Sequence, residues 1–453
     1  MTQHDFTPDA LEAAGAGEVH HDPGYQWPTD PAVVESLHRW QQHKVGVIIH
    51  WGIYTAIGQG GSWSLHREHL GKFTDPPADW QGSDAEYQTW YYDQGRTFTG
   101  ADLDPADWAA TCRDAGMKYL VFTTKHHDGF ALYDTAYSNL KSTAEWTGLQ
   151  RDVFRDFTDA FRAEGLETGI YFSKADWAHP CYWDQARPIK DRWVNYDIQA
   201  EPHRWERFKQ FTHDQIRELV NNYGPMNVLW LDAGWVRAPE EPIDIDEIAR
   251  IAREAQPGIL VVDREVPGPH ENYRTPEQGL PEGGMDCPWE ACITMTRSWT
   301  SLAPDDPAKP LHVILETLLK IVSGGGNYLI GIGPDATGAM PPEVRQRLGE
   351  LGEWLRICGE GVYGSEKAAD APELQGDLTW YTTTRDGVLY AFGHSGEDIV
   401  PATTLRIRGD VASALLLGGG ELTVTRDGEF AVVEVPESPT RAAVGIALTM
   451  AQG

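Results

Sequence analysis

The sequence is poor in cysteine and in long apolar runs. Its 453 residues include 5 Cys, and no Cys-x-x-Cys pair is present. A disulfide framework or a zinc knot is therefore not expected, and we interpret the cysteines as mostly buried thiols in a reducing compartment. No run of about 18 apolar residues occurs, so no transmembrane helix is predicted.

Positive charge is also scarce. The chain has 37 Lys and Arg against 68 Asp and Glu, a formal net charge of −31. Such a surface repels phosphate backbones and anionic lipid, so neither nucleic acid nor a membrane is predicted as a partner. The first 17 residues lack the basic and apolar regions of a secretion signal. We expect a cytoplasmic protein, and secretion of a longer precursor stays open.

The pattern divides the chain into three parts. Residues 1–30 form a polar leader. In 31–366, apolar strand-like runs alternate with amphipathic helical segments, the pattern of a parallel sheet with helical crossovers. The predicted strands are 45–50, 119–124, 168–173, 227–232, 259–264 and 328–332, and the clearest helices are 151–164, 203–223 and 342–356. This number of strands favours a (β/α)8-like barrel, irregular in places, with one or two strands still unplaced.

Short alternating segments follow in 367–453. Six strands are predicted, at 378–384, 388–394, 403–408, 422–426, 430–435 and 443–449. Turn sequences such as Asp-Gly separate them, which favours an antiparallel β-sandwich.

Polar residues gather at the carboxyl ends of the predicted barrel strands: His50, His126, His127, Asp128, Tyr171, Lys174, Asp232 and Arg264. In a barrel these ends meet at one mouth, where active sites form. Taken singly, each of these residues is explained as well by a structural role as by a catalytic one. We assign a structural role to Lys174.

A metal site is the weaker interpretation of this cluster. His126 and His127 are adjacent, and adjacent strand residues face opposite sides, so one metal rarely binds both. No His-x-His or HExxH motif accompanies them. We therefore expect neither a metal nor a cofactor.

Four longer motifs resemble those of the retaining α-L-fucosidases, family 29 of the glycoside hydrolases. They are KVGVIIHWGIYTAI (44–57), KYLVFTTKHHDGFALYDTAYS (118–138), NVLWLDAGW (227–235) and the segment 324–365. The resemblance spans roughly residues 35–365 in the family's order. It implies an irregular barrel followed by a β-sandwich, and exo-acting hydrolysis of terminal α-L-fucosyl groups through a covalent glycosyl-enzyme.

The resemblance also assigns residues. Asp232 matches the nucleophile and Arg264 a residue beside it. The positions that match the sugar pocket are His50, Trp63, His126, His127, Tyr171 and Trp230. Glu277 and Glu290 both stay open as the acid/base. We favour Glu277, on what should be a mobile loop, and place Glu290 beside the pocket with Trp299 as a wall for the sugar methyl group.

One segment departs from the family. Many members carry a Glu-Trp-Tyr element after the first strand, whereas here Ser62-Trp63-Ser64 stands in its place. The family's sugar-binding acid is then absent unless His66 or Glu68 substitutes. The change leaves fucose specificity open, and a related sugar such as an α-L-galactoside becomes an alternative substrate.

Three functions remain in competition. The first is a retaining α-L-fucosidase acting on a fucosylated oligosaccharide or glycoconjugate. The second is a metal-dependent hydrolase using His126, His127 and Asp128. The third is a non-catalytic fucose-binding protein. The sequence leaves open whether the chain forms a homo-oligomer.

Overall fold

A computed structural model describes residues 24–66, 82–302, 306–438 and 440–451. Most of the predicted polar leader lies outside these ranges, and its described part, 24–30, contains no helix or strand. Among the described residues, no helix combines the length and the apolar character that crossing a bilayer requires.

Seven parallel strands form the central sheet, in the order β5-β4-β3-β2-β1-β7-β6. They are β1 Val45–Ile49, β2 Tyr119–Lys125, β3 Glu167–Ser173, β4 Val228–Asp232, β5 Leu260–Asp263, β6 Glu290–Thr294 and β7 Asn327–Ile332. All their residues except Glu167 are buried. Burial on both faces explains the continuous apolar runs that predicted six of these strands.

The edge strands β5 and β6 are linked by an irregular segment, residues 271–278. Single β-bridges join Val262 to Glu271, Arg274 to Trp289 and Glu277 to Cys292. Pro276 lies in this segment, and proline cannot donate to a regular ladder. The segment takes the place of an eighth strand, so the predicted (β/α)8-like barrel is confirmed in an irregular form.

Nine α-helices surround the sheet among the described residues. They are α1 Pro31–His43, α2 Ile53–Ala56, α3 Asp84–Asp93, α4 Pro105–Asp114, α5 Val153–Ala163, α6 Pro202–Asn222, α7 Ile245–Ala255, α8 Leu311–Ser323 and α9 Pro342–Cys358. Helix α5 shows why they form: Asp152 caps its first turn, and a phenylalanine-rich face is buried against the sheet.

Two antiparallel sheets follow the barrel, with orders β14-β13-β17-β11-β10-β8 and β15-β16-β12-β9. Their strands are β8 Glu366–Lys367, β9 Leu374–Gln375, β10 Thr379–Arg385, β11 Val388–His394, β12 Thr403–Arg408, β13 Val411–Leu416, β14 Glu421–Leu422, β15 Val424–Asp427, β16 Phe430–Val435 and β17 Ala443–Met450. Apolar residues from both sheets share one core. This arrangement is the predicted sandwich.

The sandwich packs directly on the barrel through α9. The Trp354 indole nitrogen donates to the Ala443 carbonyl at 2.8 Å, and its ring lies 5.8 Å from that of Phe392. One hydrophobic cluster runs through both parts. The predicted division at 366/367 falls within β8 and stays a prediction.

Candidate active site

The polar residues at the strand ends meet at one mouth of the barrel. Asp232 ends β4 and Tyr171 lies near the end of β3. His50 follows β1, His126 and His127 follow β2, and Arg264 follows β5. The convergence predicted from the sequence therefore occurs. Lys174 pairs with buried Asp263 instead, in keeping with its predicted structural role.

Asp232 is the most strongly held carboxylate of this group. Arg264 donates to it at 2.8 Å, the Tyr171 hydroxyl donates to its other oxygen, and the His127 Nε2 lies 3.8 Å away. Burial alone would raise its pKa, but the charge of Arg264 and the hydrogen bond from Tyr171 together hold the pKa well below its usual range. Asp232 is therefore an ionised carboxylate, the state that a nucleophile requires.

Glu277 shares the same arginine. One terminal nitrogen of Arg264 contacts Asp232, and the other forms ion pairs with Glu277 and, at 3.1 Å, with Glu265. Two carboxylates on one guanidinium lie within a few ångströms of each other, which suits the separation of about 5 Å in retaining glycosidases.

The surroundings of Glu277 differ from the predicted mobile loop. Its side chain is buried, and the backbone beside it is bonded to β6: Gln278 N donates to the Cys292 carbonyl and Cys292 N to the Pro276 carbonyl, both at 3.0 Å. The irregular segment 271–278 thus fixes the second carboxylate as firmly as a strand would.

His127 offers an acceptor nitrogen to the pocket. The Ser173 hydroxyl donates its single hydrogen to the Ala175 carbonyl at 2.8 Å, so the His127 Nδ1, 2.7 Å from that hydroxyl, must be the donor. Burial and His126 hold the pKa of His127 well below its ordinary value, so the ring is neutral. Its Nε2 is left to accept a hydrogen bond from a sugar hydroxyl.

The two adjacent histidines point into the same pocket. Their ring centroids lie 4.1 Å apart, and burial lowers the pKa of His126 to about 4. The expectation that they face opposite sides was wrong, because β2 ends at Lys125 and neither histidine lies in the strand. The Ser62 hydroxyl lies 2.6 Å from the His126 Nδ1.

These residues could also be considered for a cation. One ligand atom each from His126, His127 and Asp232 lies within 4.8 Å of the others. Arg264 already supplies a positive charge to Asp232, and it would repel a metal ion there. Asp128, which the metal hypothesis included, instead accepts hydrogen bonds from Tyr91 and from the Phe130 backbone.

Aromatic rings line the pocket. Trp63 lies 4.9 Å from His127, Trp299 lies 4.8 Å from His50, and Trp230 stacks on Tyr171 at 5.4 Å. All these distances join ring centroids. The faces of such rings suit the C–H surface and the methyl group of a deoxy sugar.

Glu290 lies outside this pocket. It begins β6, at the opposite end of the barrel from Asp232, and accepts hydrogen bonds from Tyr119 and from the Trp230 indole at 3.3 Å. Burial raises its pKa to about 7. Glu290 therefore lies behind the pocket, where it contacts Trp230 from within the barrel, and it is not in direct reach of a bound sugar.

Sequence reasoning missed several neighbours of the pocket. Trp235 lies 5.0 Å from His127, and the Arg192 guanidinium lies 5.0 Å from Trp63 and 5.4 Å from Trp235. Trp235 was visible in the NVLWLDAGW motif, whereas nothing in the sequence marked Arg192. His66 is buried against Trp177, and Glu68 lies outside the described residues.

The carboxyl groups of Asp232 and Glu277 are held close together by Arg264, in a pocket of neutral imidazoles and tryptophan rings. This is the arrangement of a retaining glycoside hydrolase. A family model described as alpha-L-fucosidase matches residues 13–360. The chain belongs to the alpha-L-fucosidase family.

Individual relatives agree with this assignment. Tissue alpha-L-fucosidase of Rattus norvegicus is 27% identical, over 95% of this chain and 92% of its own length. Tissue alpha-L-fucosidase of Macaca fascicularis is 30% identical, over 82% of this chain and 81% of its own length. Among solved structures, alpha-L-fucosidase isoenzyme 1 from Paenibacillus thiaminolyticus is 30% identical with a TM-score of 0.76, covering 93% of this chain and 100% of its own.

Proposed function

We propose that the protein is an exo-acting α-L-fucosidase that works by double displacement. An Asp232 oxygen forms a bond to the anomeric carbon as the bond to the leaving oxygen breaks, and Glu277, which is in its protonated form when the substrate is bound, gives its proton to that oxygen. Water then attacks the same carbon, Glu277 takes a proton from it, and the ester to Asp232 breaks. The observation that carries this proposal is the pair of carboxylates on Arg264.

Substrate recognition follows from the buried polar atoms of the pocket. The His50 Nδ1 is buried and has no hydrogen-bond partner among the described residues. With the His127 Nε2 it supplies nitrogen atoms for the hydroxyls of a fucosyl unit. The rest of a fucosylated oligosaccharide or glycoconjugate would extend from the mouth.

The second candidate is an α-L-galactosidase. Ser62 replaces the acid of related enzymes and holds His126 instead. L-Galactose carries a hydroxymethyl group where fucose has a methyl group, and without the hydroxyl contacts of that acid the pocket discriminates less strictly between related sugars. Parallel assays with p-nitrophenyl α-L-fucoside and α-L-galactoside separate the two substrates.

The test of the reaction is hydrolysis of p-nitrophenyl α-L-fucoside with EDTA present. We expect turnover in the wild type and a loss of roughly 10³-fold or more in Asp232→Ala. Thermal unfolding shows that the variant is folded. Turnover abolished by EDTA would support the metal-dependent hydrolase, and fucose binding without turnover would support the non-catalytic protein.

The compartment is also a proposal. All five cysteines are free thiols in the structure, which supports a reducing compartment such as the cytoplasm. Titration of the denatured protein with a thiol reagent, without prior reduction, should find five thiols; fewer would indicate disulfides and contradict the proposal.

A further inference from the structure

A second cleft opens at the opposite end of the barrel from Asp232. Its volume is about 480 Å³, within the range of small-molecule sites. Residues just before β1, β6 and β7 contribute to its lining, together with β8 and a segment before α1. The length of a five-residue strand, roughly 16 Å, separates it from the catalytic carboxylates.

Lys44 is the residue that the catalytic site leaves unexplained. It begins the first family-like motif, yet its side chain lines this second cleft. It is 2% exposed, and no hydrogen bond or ion pair joins its ammonium to a described residue. Burial lowers its pKa to about 8, with Glu366 opposing the shift.

The backbone at Lys44 supports a specific role for this side chain. Its φ of 59° lies in the left-handed region at the end of α1, where glycine is usually favoured. Lysine is an unusual residue at such a position, which is consistent with a role for its side chain. The Lys44 carbonyl accepts from Tyr328 N at 2.7 Å, which fixes the residue in place.

The charges around the cleft favour an uncharged ligand. Asp286 and Glu366 line it beside Lys44 and Lys367, so the lysines are balanced by two carboxylates. Helices α1 and α8 both end at this face, and helix C-termini carry partial negative charge. An inorganic anion would meet these negative groups, whereas the hydroxyls of a sugar can both donate to carboxylates and accept from lysine.

An aromatic ring stands at the edge of the cleft. Trp27 is 56% exposed, an unusual state for tryptophan. Its ring is held edge-to-face by Tyr25 at 5.3 Å, and Tyr25 is itself bonded to the Asn272 carbonyl at 2.6 Å. A fixed, exposed indole face beside the amides of Gln41 and Gln42 is suited to the apolar face and hydroxyls of a pyranose.

We propose that this cleft, built by Trp27, Gln41, Gln42, Lys44, Asp286 and Glu366, is a second carbohydrate-binding site for a neutral pyranose unit. The Trp27 ring stacks on the sugar, and the Lys44 ammonium and the two carboxylates bond its hydroxyls. Because the cleft is separate from the catalytic mouth, a second glycan chain can bind while a fucosyl unit occupies the active site. The site does not depend on the proposed hydrolytic mechanism.

The test is ligand-observed NMR on the full chain, with lactose and N-acetyllactosamine as probes. Both sugars are neutral and carry no fucose. The variants are Trp27→Ala and Lys44→Met, and Tyr137→Ala serves as the matched control because Tyr137 is an exposed aromatic residue outside both sites. Thermal unfolding shows whether each variant is folded. If Lys44→Met does not fold, the test uses Trp27→Ala alone.

We expect saturation transfer to at least one of these sugars, and binding roughly tenfold weaker in Trp27→Ala and Lys44→Met. The control should bind normally, and an L-fucose concentration that just saturates the catalytic pocket should leave most of the transfer in place. Absence of transfer to both sugars would overturn the proposal. So would transfer that L-fucose abolishes and Trp27→Ala leaves intact, since that would place the sugar in the catalytic pocket. If the cleft bound inorganic phosphate but neither sugar, the proposal that its ligand is uncharged would be overturned.

Discussion

At the scale of single residues, the ionisation of the pocket determines how activity depends on pH. Asp232 has a pKa held below its usual range by Arg264 and Tyr171 despite burial, so it remains a carboxylate when the solution is acidified. The His126 pKa is lowered to about 4 by burial. On acidification, His126 therefore gains a proton before Asp232 does.

This order predicts the acid limb of the pH profile. On the acid side of the optimum, we expect kcat/KM to decline near pH 4 as His126 becomes charged. The measurement is kcat/KM for an aryl fucoside at constant ionic strength. A decline with its midpoint near pH 6 would show that a histidine of ordinary pKa controls the reaction.

The acid/base assignment predicts a dependence on the leaving group. Glu277→Ala should slow substrates with poor leaving groups by about 10²–10⁴-fold and activated aryl fucosides far less, because only the former need a proton. Glu290→Gln is the matched comparison, since Glu290 is a buried carboxyl that touches Trp230 and not Arg264. If Glu290→Gln shows the selective loss instead, the two roles are reversed.

Much of this site could be predicted from residues at strand ends. Asp232, Tyr171 and Arg264 follow from buried strands whose carboxyl ends converge. Glu290 could not be placed, because β6 was not recognised and a residue's position along an unseen strand is unknown. Arg192 reaches the pocket from a loop that no periodic pattern describes.

At the scale of elements, the loop that carries Arg192 is anchored by a buried carboxyl. Glu241 accepts from Val194 N at 2.7 Å and from the Tyr182 hydroxyl at 2.9 Å, and Tyr182 in turn accepts from the Trp235 indole at 3.0 Å. Burial raises the pKa of Glu241 to about 8. In the folded protein, Glu241 therefore keeps its proton up to about pH 8, whereas in the unfolded chain it loses the proton near its ordinary pKa of 4.5.

This linkage predicts how stability depends on pH. A carboxyl with a raised folded-state pKa favours folding most below its ordinary value of 4.5, and that contribution is lost as pH rises to about 8. Glu241→Gln removes the titration. Relative to the wild type, we expect its free energy of unfolding in urea to rise by roughly 4 kcal/mol between pH 5 and pH 9. A difference that stays constant with pH would contradict a buried protonated Glu241.

The elements themselves were predicted unevenly. Six barrel strands appear as apolar runs because both their faces are buried. The five-residue β6 begins with a glutamate and gives no such run, and the segment 271–278 has proline and isolated bridges in place of a ladder. Closure of the barrel depends on tertiary contacts, so the periodicity of apolar residues in the sequence does not predict it.

At the scale of the whole molecule, barrel and sandwich share one hydrophobic cluster. We expect a single cooperative transition in calorimetry of the full chain. A chain ending at residue 366 should lose that transition and aggregate, because Trp354 and the rest of that face of α9 become exposed. A truncated chain that unfolds cooperatively and hydrolyses the aryl fucoside would show that the sandwich is dispensable.

The central claim is that Asp232 forms a covalent bond to the sugar. The most direct test is to treat this protein with 2-fluoro-fucosyl fluoride and map the adduct by peptide mass spectrometry. We predict one fluorofucosyl group, on Asp232. An adduct on another residue, or turnover with inverted configuration and no adduct, would contradict the account.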